Sequence, residues 1–195
     1  MNKLLEDSNV INIIDNSDDI KYELKDGVNL VINLFYHSIN KQNIEINAHN
    51  ESNIVINYAG LSNNDNDINI SITVDGNNNK VIVNGRFISL DKTCNVFVDT
   101  YVIKNTIGNI VEENLKGINE NGMIMIKPIL RIDSNEVNAS HGASIGKFDK
   151  NELFYLKLKG INENDAKELL KRGFLYSLYS DIFINMLEEG DRENE

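Results

Sequence analysis

Apolar residues alternate with polar ones through most of the sequence before residue 147, in short runs divided by turn-forming residues. The runs with this period of two are Leu30, Ile32 and Leu34; Ile44 and Ile46; Ile54 and Ile56; Ile68, Ile70 and Ile72; Val81 and Val83; and Val96 and Val98. Residues i and i+2 of a strand lie on the same face, so each run supplies one buried row of mostly β-branched side chains. The sequence therefore predicts a chain that is mainly β.

The spacing of these runs restricts the β architecture. Five of them begin at residues 44, 54, 68, 81 and 96, and Asn- and Asp-rich segments separate them. Asn and Asp suit tight corners because they tolerate left-handed backbone. A sandwich, a barrel and a β-helix all have such spacings. Asn-rich corners, which can form ladders from coil to coil, and similar short runs favour the β-helix, whereas Asn84-Gly85 is a hairpin signal that disfavours it.

Composition excludes several classes of partner. The 195 residues carry 19 Lys and Arg against 30 Asp and Glu, for a net charge of −11. We expect no nucleic-acid binding and no binding to anionic membranes, because both need a basic surface. The single Cys94 cannot form an internal disulfide. Charged residues occur too early in the N-terminal segment for a signal peptide. No apolar run approaches the length of a membrane span. These features predict a cytoplasmic protein.

The sequence changes to helical spacing near residue 148. Asp149 stands at an N-cap position, Gly160 supplies a stop, and Asn162 opens a second helix. We therefore expect a β-helix core domain over residues 1–147 and a helical segment over residues 148–195. The inner stripe of the second helix consists of Ala166, Leu169, Leu170, Gly173, Phe174 and Leu178.

A second apolar stripe follows, made of Leu175, Tyr179, Phe183 and Leu187. A surface helix normally has one such stripe. Two interpretations stay open: the helix is wedged between the β domain and a neighbouring element, or the stripe docks a partner protein. The residues assigned to partner binding are Leu153, Phe154, Phe174, Leu175, Tyr179 and Phe183.

Catalytic and nucleotide-binding motifs are missing from the sequence. It has no phosphate-binding Gly-rich loop, no Cys-x-x-Cys and no His-Glu-x-x-His. We expect His37 and His49 to be structural or solvated. Cys94 is by default an inert small hydrophobic residue, with a functional thiol as the alternative. The sequence thus predicts a protein that is not an enzyme and binds no nucleotide itself.

A series of short motifs runs from Lys127 to Asp181. In order they are Lys127-Pro128, Ser140-His141-Gly142-Ala143-Ser144-Ile145-Gly146, Leu153-Phe154-Tyr155-Leu156, Gly160-Ile161 and the helix from Ala166 to Phe174. This series resembles the C-terminal part of the SufB/SufD family, the scaffold subunits of the SUF iron–sulfur cluster assembly machinery. The Ser-His-Gly form looks SufD-like.

The resemblance implies a right-handed parallel β-helix followed by a small C-terminal helical segment. It also implies a cytoplasmic scaffold that forms a homodimer, or a heterodimer with a SufB-like paralogue, and that binds a SufC-like ABC ATPase through its C-terminal helices. A transient iron–sulfur cluster is expected at the subunit interface, near the end of the β-helix. His141, which we expect to follow a strand end and to have small neighbours, is the candidate ligand. Cys94, Glu112 and Glu113 are weaker candidates.

The chain also departs from the family pattern. It has roughly half the usual length, and Glu112 and Glu113 lie where SufB-like members carry a cysteine before Lys127-Pro128. Iron strongly prefers thiolate, so a site of His and carboxylate would hold a cluster loosely. A minimal homodimeric scaffold, the SufD-like half of a heterodimer, and a relative that keeps only the docking fold all stay open. The alternative from another class is a structural or interaction β-solenoid with no iron–sulfur role.

Overall fold

The computed structural model describes residues 3–193, with side chains as far as Gly190. The strands are β1 (Lys3–Leu5), β2 (Asn9–Ile14), β3 (Ile20–Leu24), β4 (Asn29–Tyr36), β5 (Lys41–Ala48), β6 (Asn53–Ser62), β7 (Asn66–Val74), β8 (Lys80–Leu90), β9 (Thr93–Val102), β10 (Ile107–Glu120), β11 (Met123–Ile132) and β12 (Glu136–Gly146). The helices are α1 (Lys150–Leu158), α2 (Glu163–Tyr176) and α3 (Asp181–Glu193).

The strands form two parallel sheets. The odd sheet has the order β1-β3-β5-β7-β9-β11, and the even sheet has the order β2-β4-β6-β8-β10-β12. The chain passes from one sheet to the other and back in each coil, which gives a β-solenoid of about five turns. This confirms the β-helix interpretation. The hairpin signal at Asn84-Gly85 is wrong, because both residues lie inside β8 and pair in parallel with β6 and β10.

The period-two rows fill the space between the sheets. Ile32, Ile56 and Val83 lie on successive coils of the even sheet and are fully buried. Ile44, Ile70 and Val98 do the same in the odd sheet. Several corners hold Asn or Asp with positive φ, among them Asn78 at 57° and Asn105 at 65°. The corner residues thus take the left-handed backbone that their composition predicts.

Asparagine side chains connect the coils on the outer face of the even sheet. Asn33 donates from Nδ2 to Oδ1 of Asn12 at 2.9 Å, Asn57 donates to Asn33 at 3.0 Å, and Asn84 donates to Asn57 at 3.0 Å. In-register parallel pairing puts these four residues above one another. The expected coil-to-coil Asn ladder is therefore present across the strands, and at the corners the Asn77 N–H donates to Oδ1 of Asn50 at 2.9 Å.

Part of the even sheet is buried on both faces. Along β4 the burial of the side chains alternates only as far as Ile32. The residues after it, Asn33, Leu34, Phe35 and Tyr36, are all buried. The outward residues of this region form a second hydrophobic cluster with the helices, which consists of Phe35, Ala59, Ile88, Ile118, Leu175, Phe183 and Leu187. The helices therefore cover one end of the outer face of the even sheet.

The helix boundaries follow the sequence signals in part. The Asp149 carboxylate caps α1 by accepting from the Asn151 N–H at 2.8 Å, and Gly160 takes a φ of 86° after α1. The Asn162 side chain caps α2. The second apolar stripe is divided between two helices, because α2 ends at Tyr176 and α3 begins at Asp181. Of the helical segment expected over residues 148–195, residues 194 and 195 lie outside the described residues. Within the described range, no helix has the length and hydrophobicity needed to cross a bilayer.

Candidate functional site

The last coil leaves one end of the solenoid open. In the described range, no further strand pairs with the outer edges of β11 and β12. Val137 and Ala139 of β12 turn inward and are partly buried against the core, whereas His141, the next residue of this row, is exposed. We call this region, formed by β11 and β12, the open end. It presents an imidazole beside the last layer of the hydrophobic core.

His141 lies within a strand and not after one. The sequence placed it beyond a strand end, but β12 runs from Glu136 to Gly146. Parallel pairing with β10 keeps this Ser-, Gly- and Ala-rich segment extended, although its own strand propensity is low. The pairing also fixes the side chain on the inward face of the coil.

Glu113 occupies the matching position one coil below His141. The two residues are register partners in the β10–β12 ladder, so their Cα atoms lie about 5 Å apart and their side chains face the same side. Glu113 is fully buried. Of the four candidate ligands, Glu113 and His141 are the two that the structure brings together.

The Glu113 carboxyl sits in an apolar setting with incomplete hydrogen bonding. Its Oε1 accepts from Thr100 Oγ1 across the core at 2.7 Å, while Oε2 is buried with no hydrogen-bond partner. Burial is the main cause that raises its pKa from 4.5 to about 7; the Thr100 hydrogen bond lowers the pKa and the Asp99 charge raises it. A buried carboxyl of this kind can bind a cation or a proton at its free oxygen.

Cys94 lies apart from this pair. It is the second residue of β9 and is fully buried, with its Sγ atom 3.6 Å from the hydroxyl oxygen of Tyr36. Burial raises the pKa of its thiol, and this outweighs hydrogen bonds with Ser62 and Tyr36 that lower it. Thr100, which contacts Glu113, is six residues further along the same strand, so about 20 Å separates Cys94 from that contact. The position of Cys94 agrees with the expectation of an inert small hydrophobic residue.

Glu112 faces the other way. It is the register partner of Ser140 on the outer face of the even sheet, so its carboxylate and the His141 imidazole lie on opposite sides. Among the described residues, no group of three or more His, Cys, Asp or Glu side chains is placed to hold a metal ion. Of the four candidate ligands, His141 is exposed at the open end, and Glu113 lies fully buried one coil below it.

The helical segment presents an apolar surface on α1 and α2. Phe154, Tyr155 and Leu158 are 61%, 58% and 68% exposed, and Leu169 of α2 is 50% exposed. No residue of α1 is buried. A cavity of about 440 Å³ between the two helices is lined by Tyr155, Leu156 and Leu170, with Asn151 and Glu152. We call the surface made by Phe154, Tyr155, Leu158 and Leu169 the helical face.

The other residues assigned to partner binding are placed differently. Leu175 and Phe183 are buried in the second hydrophobic cluster, and Phe174 and Tyr179 are partly buried against it. Leu153 is partly buried within α1. These contacts match the wedge interpretation of the second stripe, since the side chains contact the solenoid of their own chain.

Two features of this region were not identified from the sequence. Thr100 is the hydrogen-bond partner of Glu113, and the Tyr179 hydroxyl bonds to the backbone of β4 and β6. The cover over the even sheet did leave a signal, because Leu34, Phe35 and Tyr36 are consecutive apolar residues, as is typical of a strand buried on both faces. No sequence signal pairs Thr100 with Glu113, since the two residues lie in different sheets.

The fold is thus a parallel β-solenoid with a helical cover and an exposed histidine at one end. Residues 28–174 match the family model described as SUF system FeS cluster assembly, SufBD core domain. The chain belongs to this SufBD family. The matched range contains β4 to β12, Glu113, His141 and α1.

Individual relatives are similar over a shorter segment. An iron–sulfur cluster assembly SufBD family protein of Mycobacterium leprae (strain TN) is 41% identical over 63 residues, which are 32% of this chain and 16% of the relative. The iron–sulfur cluster assembly protein SufD of Escherichia coli (strain K12) is 34% identical over 64 residues, 33% of this chain and 14% of the relative. SufD of Bacillus subtilis (strain 168) is 40% identical over 55 residues, 28% of this chain and 13% of the relative. The chain therefore aligns with less than a fifth of the length of each of these relatives.

Proposed function

We propose that this chain is a cytoplasmic scaffold component of iron–sulfur cluster assembly and not an enzyme. It dimerises through its open end, with a second copy or with a SufB-like paralogue, and the cluster is formed or transferred at that interface. It binds a SufC-like ABC ATPase through its helical face and binds no nucleotide itself. The cluster is a transient cargo of the scaffold.

The position of His141 carries this proposal. It lies in the family-matched range, on the inward face of the last strand, and its register partner Glu113 has a buried carboxyl oxygen without a hydrogen bond. Imidazole and carboxylate both bind iron, more weakly than thiolate does. Two donors hold a cluster loosely, which suits a cargo that must leave. Two copies that meet at their open ends would bring two exposed imidazoles together, each with a buried carboxyl one coil below it.

The free edges of β11 and β12 support dimerisation. An unpaired edge presents backbone N–H and C=O groups that another strand can satisfy. Met123, Met125 and Ile145 lie on these strands and are 65%, 44% and 50% exposed. Apolar side chains at a strand edge are typical of a surface that is covered in the assembled protein. A twofold contact would bring His141 of each copy to the same interface.

The helical face supports ATPase docking. Phe154 and Leu158 are one helical turn apart on α1 and are both exposed. Helices in grooves bind through apolar anchors at this spacing. Because α1 has no buried residues, its apolar side chains contribute little to the stability of the chain itself.

Co-purification with the SUF ATPase tests the proposal. The variant carries Phe154→Ser and Leu158→Ser, and the control is Ile182→Ser, at an α3 residue that is 73% exposed. We expect the wild type and the control to retain the ATPase and the α1 variant to lose it. If the wild type binds no SUF ATPase, or if the α1 variant binds as well as the control, the docking proposal is wrong.

A structural or interaction β-solenoid without an iron–sulfur role is the competing function. The Asn ladder and the filled core would serve it equally well. This function differs from the proposed one in a measurable way. No cluster would form on the protein under anaerobic conditions with iron and sulfide, whichever residue stands at position 141.

A further inference from the structure

Tyr179 connects the helical segment to two strands of the solenoid at once. It lies between α2 and α3, where the chain turns. Its hydroxyl accepts from the Ala59 N–H of β6 at 2.8 Å and donates to the Leu34 carbonyl oxygen of β4. The two strands are neighbours in the even sheet, and Leu34 pairs with Tyr58, the residue before Ala59. One phenol hydroxyl therefore bridges two adjacent strands.

The Tyr179 side chain is packed among aromatic rings, so its two hydrogen bonds restrict how its segment can lie on the sheet. Its ring lies edge-on to Phe183, with 4.7 Å between the ring centroids, and to Phe35 at 6.4 Å. Burial raises the pKa of the phenol well above its usual range, so the hydroxyl keeps its proton and can donate and accept together. Apolar contacts alone are non-directional. A hydroxyl that must meet both a donor and an acceptor fixes the position and the angle of its segment.

We infer that Tyr179 is a positioning residue that holds the α1–α2 pair at one orientation on the even sheet. Since no residue of α1 is buried, α1 depends on α2 for its position. Tyr179 follows the end of α2 by three residues. Its two hydrogen bonds therefore set the direction in which the helical face points. That this orientation favours partner binding rests on the proposed function, in which the helical face docks the ATPase.

Distance measurements between two spin labels test the positioning directly. Cys94 is fully buried, so nitroxide labels attach to thiols introduced at the exposed positions Lys80 of β8 and Asn164 of α2. The test variant is Tyr179→Phe, which keeps the ring packing and removes the hydroxyl. The matched control is Tyr101→Phe, which removes an exposed hydroxyl that donates to Asp133 at 2.7 Å, remote from the helices.

We expect a narrow label-to-label distribution in the wild type and the control, and a clearly broader one in Tyr179→Phe. An unchanged width in Tyr179→Phe would overturn the inference. ATPase affinity is measured separately and should fall about tenfold in Tyr179→Phe, as expected if the helical face then holds its binding orientation about a tenth of the time. A broadened distance distribution together with wild-type affinity for the ATPase would show that the orientation set by Tyr179 does not matter for ATPase binding. A wild type that binds no ATPase would reject the proposed docking and leave the distance result as the test of positioning.

Discussion

Glu113 and His141 are register partners on β10 and β12, and both side chains face the interior side of the last coil. The first is fully buried and the second is exposed, so the pair reaches from the core to the open end of the solenoid. The Glu113 carboxyl has one hydrogen bond, from Thr100, and one buried oxygen without a partner. The strand pairing thus places a carboxyl with unused bonding capacity next to an accessible imidazole.

The first prediction concerns the pH dependence of stability. In the folded protein the pKa of Glu113 is raised from 4.5 to about 7. Between these pH values the folded state keeps a proton that the unfolded state has released, so stability falls as the pH rises. The loss is about 3 kcal/mol over this range. In Glu113→Gln this part of the pH dependence disappears, and urea unfolding from pH 4 to pH 8 measures it.

Glu112→Gln is the control for this measurement. Glu112 lies next to Glu113 in the chain but faces the outer side of the even sheet. We expect its variant to keep the wild-type decline in stability. A Glu113→Gln profile parallel to that of wild type would mean that Glu113 ionises as an ordinary carboxylate.

The second prediction concerns the helical cover. Phe183 is 1% exposed in the second hydrophobic cluster, whereas the adjacent Ile182 is 73% exposed. Phe183→Ala should lower the free energy of unfolding by about 3 to 5 kcal/mol, because it leaves a cavity in that cluster. Ile182→Ala should change it by less than about 0.5 kcal/mol. Equal effects in chemical denaturation would show that α3 does not pack on the solenoid in solution.

The third prediction concerns the Asn ladder. Asn57 donates to Asn33 and accepts from Asn84, each at 3.0 Å. Asn57→Ala should cost about 1 to 2 kcal/mol, because it removes both hydrogen bonds and leaves a half-buried amide oxygen and amide nitrogen unpaired. Asn138→Ala, at an exposed position of β12, should have little effect on the same unfolding midpoint. If the Asn57 variant is as stable as the Asn138 variant, the ladder contributes nothing measurable.

Much of the fold could be predicted because its determinants are local. Rows such as Ile68, Ile70 and Ile72 define a strand and its buried face without knowledge of any neighbour. The caps at Asp149 and Asn162 likewise depend on a few consecutive residues. The choice between coil and sandwich depends on which strands pair, which no local pattern determines. Asn84-Gly85 indicated a hairpin, but parallel partners on both sides keep this dipeptide extended.

The candidate site could be predicted less well because it depends on register. His141 could be singled out by its small neighbours and its motif, but its strand exists through pairing with β10. The alternation of Val111, Glu113 and Leu115 does indicate that Glu113 faces inward and Glu112 outward. The contact with Thr100 crosses from one sheet to the other and left no pattern in the sequence. The break between α2 and α3 was not expected either, because the apolar spacing continues from Leu175 to Leu187.

The most direct test of the central claim is anaerobic reconstitution with iron and sulfide of the wild type, His141→Ala and the control His49→Gln. His141 is exposed, so its loss should change stability by less than about 1.5 kcal/mol. His49 binds Glu23 through Nε2 at 2.6 Å, away from the open end. We expect the wild type and His49→Gln to hold a cluster, and His141→Ala to fold and dimerise but hold much less, as measured by iron and sulfide content. A folded His141→Ala protein that reconstitutes as fully as the wild type would contradict the account.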